Sequence, residues 1–230
     1  MKDKNTDLLL RTGHRERLRQ NFLDDKLADY EILELLLSYA IPRRDVRPLA
    51  RTLLHKFGGI YPILSASVED LSAIAGIGNN TAIFIKVVQK IMLLGYESHA
   101  KSDAIFLNRQ TLENYCKLML GGKTIEEMHV LYLDPDGRLM KQETHSHGTP
   151  NEAALFTNEI TRNAIVLHAY GVVLIHNHPR ANLSFSSQDI QITQELARQL
   201  KICDIKLVDH YLVSGGVLYS MRDSYFLEQL

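Results

Sequence analysis

The sequence predicts a mixed α/β (α+β) domain preceded by a small all-helical domain. Up to about residue 97, apolar residues recur at intervals of three and four between turn residues, which is the spacing of amphipathic helices. From Met128 onward, short apolar runs typical of strands alternate with segments of helical spacing, which favours a mixed sheet with flanking helices. The composition, with 45% hydrophobic and 23% charged residues, is that of a globular protein.

The helical domain is predicted to span residues 1–97. Its apolar positions are separated by turn signals at Pro42, at Gly58-Gly59 and at Pro62. After Gly95 the segment Tyr96–Ser102 is polar and lacks periodicity. The sequence therefore predicts a linker over residues 98–107 and a second domain over residues 108–230.

The second domain begins its strand pattern with a predicted hairpin. The run Met128–Leu133 leads into the turn sequence Asp134-Pro-Asp-Gly137, and Arg138–Thr144 can return as the paired strand. The remaining predicted elements are a helix over Thr157–His168, a buried strand over Val172–Ile175, a helix from Ser187 to about Leu200, and strands over Ile205–Val213 and Val217–Ser220.

Composition and local runs exclude several classes of protein. The longest apolar run, Ala164–Ile175, is interrupted by His168 and Tyr170 and is too short for a membrane span. The first residues are too polar for a secretory signal, so we expect a cytoplasmic protein with no membrane partner. Cys116 and Cys203 form no C-x-x-C pair, which excludes a disulfide framework and a thiolate metal site. The net charge of −1 gives no overall attraction to nucleic acid.

The helical domain carries one motif, a helix that runs into Gly76-Ile-Gly78 and is followed by a second helix. This pattern resembles a helix-hairpin-helix motif, whose glycine turn and helix start can hold a DNA phosphate through backbone N–H groups. Gly76 and Gly78 are the candidate phosphate contacts. The alternative is a glycine-linked helical hairpin that serves packing or protein contacts.

A stronger chemical signal lies where the buried strand ends in His176-Asn-His178-Pro. Alternate side chains of a strand share a face, so the two histidines can converge on one metal ion. Ser186 and Asp189 follow, and a loop leading into a helix can bring Asp189 back to the histidines. Two histidines and one carboxylate with an open fourth position are typical of catalytic zinc.

The same Ser186-Ser-Gln-Asp189 segment is also a helix capping box, and both interpretations can hold together. A second His-x-His pair, His145-Ser-His147, lacks an acid at the corresponding later position, which is Asn158. We therefore interpret that pair as a strand end or a pocket wall.

The segment 176–189 resembles the metalloprotease motif His-x-His-Pro-x7-Ser-x2-Asp of the JAMM (MPN+/JAB) family, and the whole chain resembles RadC proteins in particular. Arg180 and Ala181 stand where that family usually has Ser-Gly, and Leu183 and Phe185 replace prolines. The segments that support the RadC resemblance are Val130–Asp134, Asn158–Ile160, Asp209–Val213, Leu53–Gly58 and Gly76–Gly78.

The resemblance implies a central mixed sheet flanked by helices and a Zn²⁺ ion held by His176, His178 and Asp189. It also implies a glutamate as general base, for which Glu126 matches the family pattern better than Glu159. Glu159 is predicted to line the pocket from the first turn of a helix, where an acid is also favoured by the helix dipole.

The implied activity is hydrolysis of peptide or isopeptide bonds in a peptide or protein substrate, with Ser186 donating a hydrogen bond to the oxyanion. Asp209 and His210 are predicted to orient a ligand or touch substrate, or to make a structural strand-end hydrogen bond. The hairpin motif and the RadC association with DNA repair leave two rivals: a metal-dependent DNA nuclease, and a non-catalytic DNA-binding adaptor with a structural metal site. A nucleotide deaminase is disfavoured because its His-x-Glu and Pro-Cys-x-x-Cys elements are missing.

Overall fold

A computed structural model describes residues 4–146, 150–179 and 183–224 of the 230-residue chain. The chain divides into two compact units, Met1–Val88 and Gln89–Leu230. No helix among the described residues combines the length and apolarity that a membrane crossing requires.

The first unit is helical, as the sequence predicts. Its core contains Leu37, Leu53, Ile63 and Leu71, each with no exposed surface. Gly58 ends the third helix in the left-handed conformation, with φ 82°, which glycine adopts without a steric cost. The helices that begin in this unit are α1 (Lys4–Leu23), α2 (Asp29–Ala40), α3 (Arg47–Phe57), α4 (Ile60–Ser65), α5 (Val68–Ser72) and α6 (Asn79–Ser102), the last of which continues beyond Val88.

The predicted linker over residues 98–107 is wrong. Helix α6 continues to Ser102, and a 3₁₀ turn covers Ile105–Leu107. The helix persists because Ala100 is buried in the core of the second unit and Tyr96, one turn earlier, packs edge-to-face on Tyr115. Tertiary contacts thus override a locally polar sequence, and the boundary between the units falls at Val88 and Gln89 instead of residue 97.

The second unit is a mixed five-stranded sheet with flanking helices, which confirms the predicted fold class. The strand order is β2-β1-β3-β4-β5, and every neighbouring pair is antiparallel except β3 and β4. Helix α9 makes the crossover between those two parallel strands, as parallel pairing requires. The elements are α7 (Arg109–Leu120), β1 (Glu127–Leu133), β2 (Leu139–Ser146), α8 (Pro150–Val166), β3 (Gly171–Asn177), α9 (Ser187–Ile202), β4 (Lys206–Ser214) and β5 (Val217–Ser220).

Strand β3 is buried along its whole length because helices cover both faces of the sheet. Its residues alternate between two core layers, as the period of a strand dictates. Val173 and Ile175 pack with α7 residues such as Tyr115. Val172 and Leu174 pack on the opposite face with residues of α8 and α9. His176 follows Val172 and Leu174 at the same spacing of two residues, so it lies on the face of the sheet that α8 and α9 cover.

Helix α8 begins at Pro150, seven residues before the predicted start at Thr157. Proline suits the first turn of a helix because its missing N–H would have no intrahelical partner there. Glu159 consequently lies in the third turn of α8 and not in the first, so the helix-dipole argument for an acid at that position is wrong.

A polar cluster ties β1, β2 and α8 together around the carboxylate of Glu143. Tyr132 Oη donates to Glu143 Oε2 at 2.6 Å, and Asn163 Nδ2 donates to both carboxylate oxygens. Lys141 Nζ lies 2.6 Å from Glu143 Oε1. Although burial opposes ionisation, these donors lower the pKa of Glu143 to about 2.

Candidate metal centre

The structure brings His176, His178 and Asp189 together where β3 ends and α9 begins. His176 is the penultimate residue of β3, and His178 is held just beyond it by a backbone hydrogen bond from its N–H to Val213 O of β4. Asp189 stands in the first turn of α9 and is 2% exposed. Both ends of the connecting loop are therefore fixed by the core.

Three atoms form a nearly regular triangle. His176 Nε2 and His178 Nε2 are 3.1 Å apart, and each lies 3.5 Å from Asp189 Oδ2. Ligand atoms about 2.1 Å from a tetrahedral zinc ion stand about 3.4 Å from one another. The residues present therefore fit a zinc ion bound by two histidines and one carboxylate.

Glu126 joins this group, since each of the four residues offers one ligand atom within 4.8 Å of the others. The strand register explains its position. Met128 pairs with His176 in the antiparallel β1–β3 ladder, so Glu126, two residues earlier on the same face, is carried toward His178. Glu127 points to the other side, where its carboxylate contacts Lys123 Nζ at 2.8 Å and His129 Nε2 at 3.3 Å.

Asn177, between the two histidines, holds the backbone on either side of Glu126. Its Oδ1 accepts from Glu127 N at 2.9 Å, and its Nδ2 donates to Ile125 O at 3.0 Å. The side chain of Asn177 is 2% exposed. The residue between the histidines, which the ligand pattern leaves unspecified, thus fixes the segment that carries Glu126, the fourth member of the group.

The electrostatics favour an ionised ligand at Asp189. Burial alone raises the pKa of this carboxyl, but the facing His176 ring in its protonated form and the donors of Ser186, which do not depend on that form, outweigh it. The resulting pKa lies well below its ordinary value. The carboxylate is therefore in its metal-binding form at neutral pH.

Ser186 forms the capping box that the sequence indicates. Its N–H and its hydroxyl both donate to Asp189 Oδ2 at 2.7 Å, and its Oγ accepts from Asp189 N at 3.1 Å. The capping and ligand interpretations of Ser186 and Asp189 are thus compatible. The hydroxyl proton points at Asp189, so donation to an oxyanion requires the hydroxyl to rotate.

The other predicted pocket residues occupy different places. Glu159 is exposed on α8 and is not part of the four-residue group. Asp209 faces the opposite side of the sheet, where it accepts from Ser220 Oγ at 2.5 Å and from Arg222 N at 3.0 Å, so its contacts are those of a structural anchor. His210 contacts His176, with 2.8 Å between His210 Nε2 and His176 Nδ1.

Three residues near the histidines carried no signal of function in the sequence. Thr193 lies one turn after Asp189 on α9 and contacts His210. Phe185 packs its ring on those of His176 and His210, at 5.8 and 5.4 Å between centroids. Asn177 is the third. Arg180 and Ala181 of the loop, like His147 of the other His-x-His pair, lie outside the described residues.

The glycine turn of the first unit lies between α5 and α6. Gly76 has φ +101°, a conformation that favours glycine, and a Cβ there would lie 3.2 Å from both terminal guanidinium nitrogens of Arg44. Ile77 is buried beneath the turn. The predicted helical hairpin with a glycine turn is therefore present, and Arg44 places a cation beside it; the phosphate contact at Gly76 and Gly78 stays a prediction.

Two family models match the chain, the RadC-like JAB domain over residues 106–226 and the UPF0758 N-terminal domain over residues 8–83. The chain belongs to the RadC-like JAB family. A UPF0758 protein of Fusobacterium nucleatum subsp. nucleatum is 34% identical over 221 residues, which cover 92% of this chain and 95% of that protein. A UPF0758 protein of Ruegeria pomeroyi is 32% identical over 223 residues, which cover 93% of this chain and 97% of that protein. The RadC resemblance is thus confirmed, and the histidine–carboxylate group lies inside the JAMM-type domain.

Proposed function

We propose that this RadC-like protein is a zinc-dependent hydrolase that cleaves peptide or isopeptide bonds. The observation that carries the proposal is the triangle formed by His176 Nε2, His178 Nε2 and Asp189 Oδ2, with Glu126 beside it. Zinc bound by such ligands lowers the pKa of its water to about 7 and polarises a carbonyl group. The JAMM-type family assignment supports the same chemistry.

Glu126 is the residue that would accept the proton of the attacking water and pass it to the leaving amine. Its distance to the ligand atoms supports this role, whereas the exposed position of Glu159 on the third turn of α8 does not. Ser186 would donate to the oxyanion once its hydroxyl rotates. Asp189 would then still accept the Ser186 N–H, so the ligand would keep its orientation.

The test offers zinc-loaded protein a peptide and isopeptide library and, separately, labelled single- and double-stranded DNA. We expect chelator-sensitive cleavage of the amide substrates and a fall in kcat of about 10²- to 10⁴-fold in Glu126→Gln. Glu127→Gln is the matched control, because its carboxylate contacts Lys123 and His129 instead of the ligand group. Cleavage of DNA alone would identify a nuclease, and full activity in Glu126→Gln would exclude Glu126 as the base.

Zinc affinity separates this proposal from the adaptor with a structural metal site. If Glu126 acts as a base, Glu126→Gln binds zinc about as tightly as the wild type. If Glu126 is a fourth ligand of a closed site, the same substitution weakens zinc binding as a ligand substitution does. Metal analysis that finds no zinc on the wild type would overturn both interpretations. Zinc binding that is undiminished in His178→Ala would overturn them as well.

Binding of the DNA backbone by the helical unit is a second candidate function. It is favoured by the guanidinium of Arg44 beside the glycine turn, because a cation and backbone N–H groups together suit a phosphate. We expect Arg44→Ala to weaken binding of a labelled duplex in fluorescence anisotropy and to reduce the salt slope by about one. Lys26→Ala removes the same charge in the turn after α1 as a control, and equal effects of the two substitutions would contradict a phosphate site at the hairpin.

A further inference from the structure

A buried chain of hydrogen bonds connects the candidate ligand His176 to the backbone of Asp189. His176 Nδ1 lies 2.8 Å from His210 Nε2, and His210 Nδ1 lies 2.6 Å from Thr193 Oγ1. Thr193 Oγ1 in turn lies 2.5 Å from Asp189 O. His176, His210 and Thr193 have no exposed surface, and Asp189 has 2%.

The chemistry of the last member fixes the direction of this chain. A carbonyl oxygen carries no proton, so the Thr193 hydroxyl must donate to Asp189 O. Having used its one proton, Thr193 Oγ1 accepts from His210 Nδ1–H. A neutral His210 then has an unprotonated Nε2, which accepts from His176 Nδ1–H. The proton of a neutral His176 is thus on Nδ1, and its Nε2 lone pair faces His178 and Asp189.

We infer that His210 and Thr193 are positioning residues that hold His176 in the Nδ1–H tautomer and aim its Nε2 at the candidate metal. The inference rests on the metal site of the proposed function but not on the bond that is cleaved. A histidine that ligates metal through one nitrogen commonly donates its other N–H to a neighbouring acceptor, which fixes the ring. Here the acceptor is a second histidine, whose own tautomer is fixed by a threonine.

The arrangement also links ligands that come from different elements. His176 lies on β3, His210 on β4, and Thr193 and Asp189 on α9. The chain runs from one ligand across the neighbouring strand to the backbone of the other ligand. Phe185 covers the two histidine rings, which keeps this part of the network away from water.

Two Thr193 variants test the inference. Thr193→Val keeps the shape of the side chain but removes the hydroxyl, so either tautomer of His210 becomes possible. Thr193→Ser keeps the hydroxyl and is the expected rescue. Thr161→Val is the matched control, because Thr161 Oγ1 also donates to the carbonyl four residues earlier, Thr157 O at 2.9 Å, but contacts no histidine of the site.

The first readout is the pair of ring ¹⁵N shifts of His176 in the metal-free protein at about pH 8, where an ordinary histidine is neutral. We expect a protonated Nδ1 and an unprotonated Nε2 in the wild type and in Thr193→Ser, and a mixture in Thr193→Val. The second readout is zinc affinity by competition with a chelator. We expect a loss of about tenfold in Thr193→Val and none in Thr193→Ser or Thr161→Val.

A proton on Nε2 of wild-type His176 would overturn the inference, as would wild-type zinc affinity in Thr193→Val. These failures differ from failure of the proposed function. Zinc binding that depends on Thr193, without any hydrolysis, would refute the enzyme and leave the positioning role intact. Hydrolysis of the amide substrates together with full zinc affinity in Thr193→Val would refute the positioning role and leave the enzyme assignment intact.

Discussion

Substitution of Asp189 by Asn separates its two tasks, because the side chain both caps α9 and faces the two histidines. An amide retains the size of the carboxylate but not its charge. In the wild type we expect zinc at a hundredfold its Kd to stabilise the fold by about 2.7 kcal/mol. For a protein of this size that corresponds to a rise in Tm of about 5–10 °C. In Asp189→Asn most of this gain should be lost.

A second Ser-x-x-Asp capping motif in the chain supplies the control. Ser67 Oγ donates to Asp70 Oδ2 at 2.8 Å and accepts from Asp70 N at 2.9 Å, which reproduces the two hydrogen bonds that the Ser186 hydroxyl makes with Asp189. The group of residues that could hold a metal contains Asp189 but not Asp70. Asp70→Asn should therefore cost about 0.3–1 kcal/mol, because a negative charge is lost from the first turn of a helix, and should keep the whole zinc gain.

The assay is urea or thermal unfolding of the wild type and both variants, each with zinc and with chelator. The informative quantity is the zinc-dependent change in unfolding free energy, since the loss of a cap cancels within each variant. A zinc gain in Asp189→Asn equal to that of the wild type would refute the assignment of Asp189 as a ligand. The absence of any gain in the wild type would refute the metal site itself.

Further predictions concern the architecture around the site. Because folding lowers the pKa of Glu143, this residue stabilises the fold at pH values above about 4.3, the pKa of glutamate in an unfolded chain. The contribution is lost as the pH falls toward 2. Glu143→Gln should thus cost about 1–2 kcal/mol at pH 7 and nothing near pH 2 in unfolding titrations, and a constant difference would contradict the pKa. Gly137→Ala should destabilise by about 1–2 kcal/mol, because φ is +83° and the new Cβ would lie 2.6 Å from Leu107 Cδ1. Gly216→Ala, with φ +76° and open space, should cost less in the same assay. Asn177→Ala should lower kcat by about 10- to 100-fold with little change in zinc affinity, and the reverse pattern would refute its role beside the candidate base.

Periodicity in the sequence predicted the strands of the sheet and the helices that cover it, because the apolar residues of each element lie on the side that faces the core. The end of α6 could not be predicted in this way. Tyr96 and Ala100 lie in a polar segment, and their burial depends on Tyr115 and other residues of α7 that are distant in sequence. The start of α8 differs from the predicted start at Thr157 because Pro150 occupies the first helical turn, where proline is favoured.

The ligand residues of the candidate centre could be predicted from the sequence, because each has a fixed position relative to the end of its own strand or helix. His176 and His178 share a face by the period of a strand, and Asp189 is fixed in the first turn of a helix by its cap. Thr193 and Asn177 could not be recognised, because threonine inside a helix and asparagine at a strand end are common. Their meaning depends on what faces them across the fold.

Asp209 and His210 show the limit of the sequence pattern most directly, because adjacent residues of a strand point to opposite faces. The sequence predicts either a pocket role or a structural hydrogen bond for this pair, without separating the two residues. Only His210 contacts a candidate ligand, while Asp209 anchors the chain around Ser220. The register of β4 against β3, with Leu174 opposite His210, decides which of the two faces the site.

The contacts that order the candidate ligands belong to the fold itself. Asp189 Oδ2 receives two donors from Ser186, and these bonds belong to the helix cap that forms as α9 folds. His176 is fixed by a fully buried strand and by His210. The loss of conformational entropy on ordering these side chains is therefore part of folding and does not oppose metal binding. Phe185 adds a constraint from the segment between His178 and Ser186, because its ring packs on those of His176 and His210.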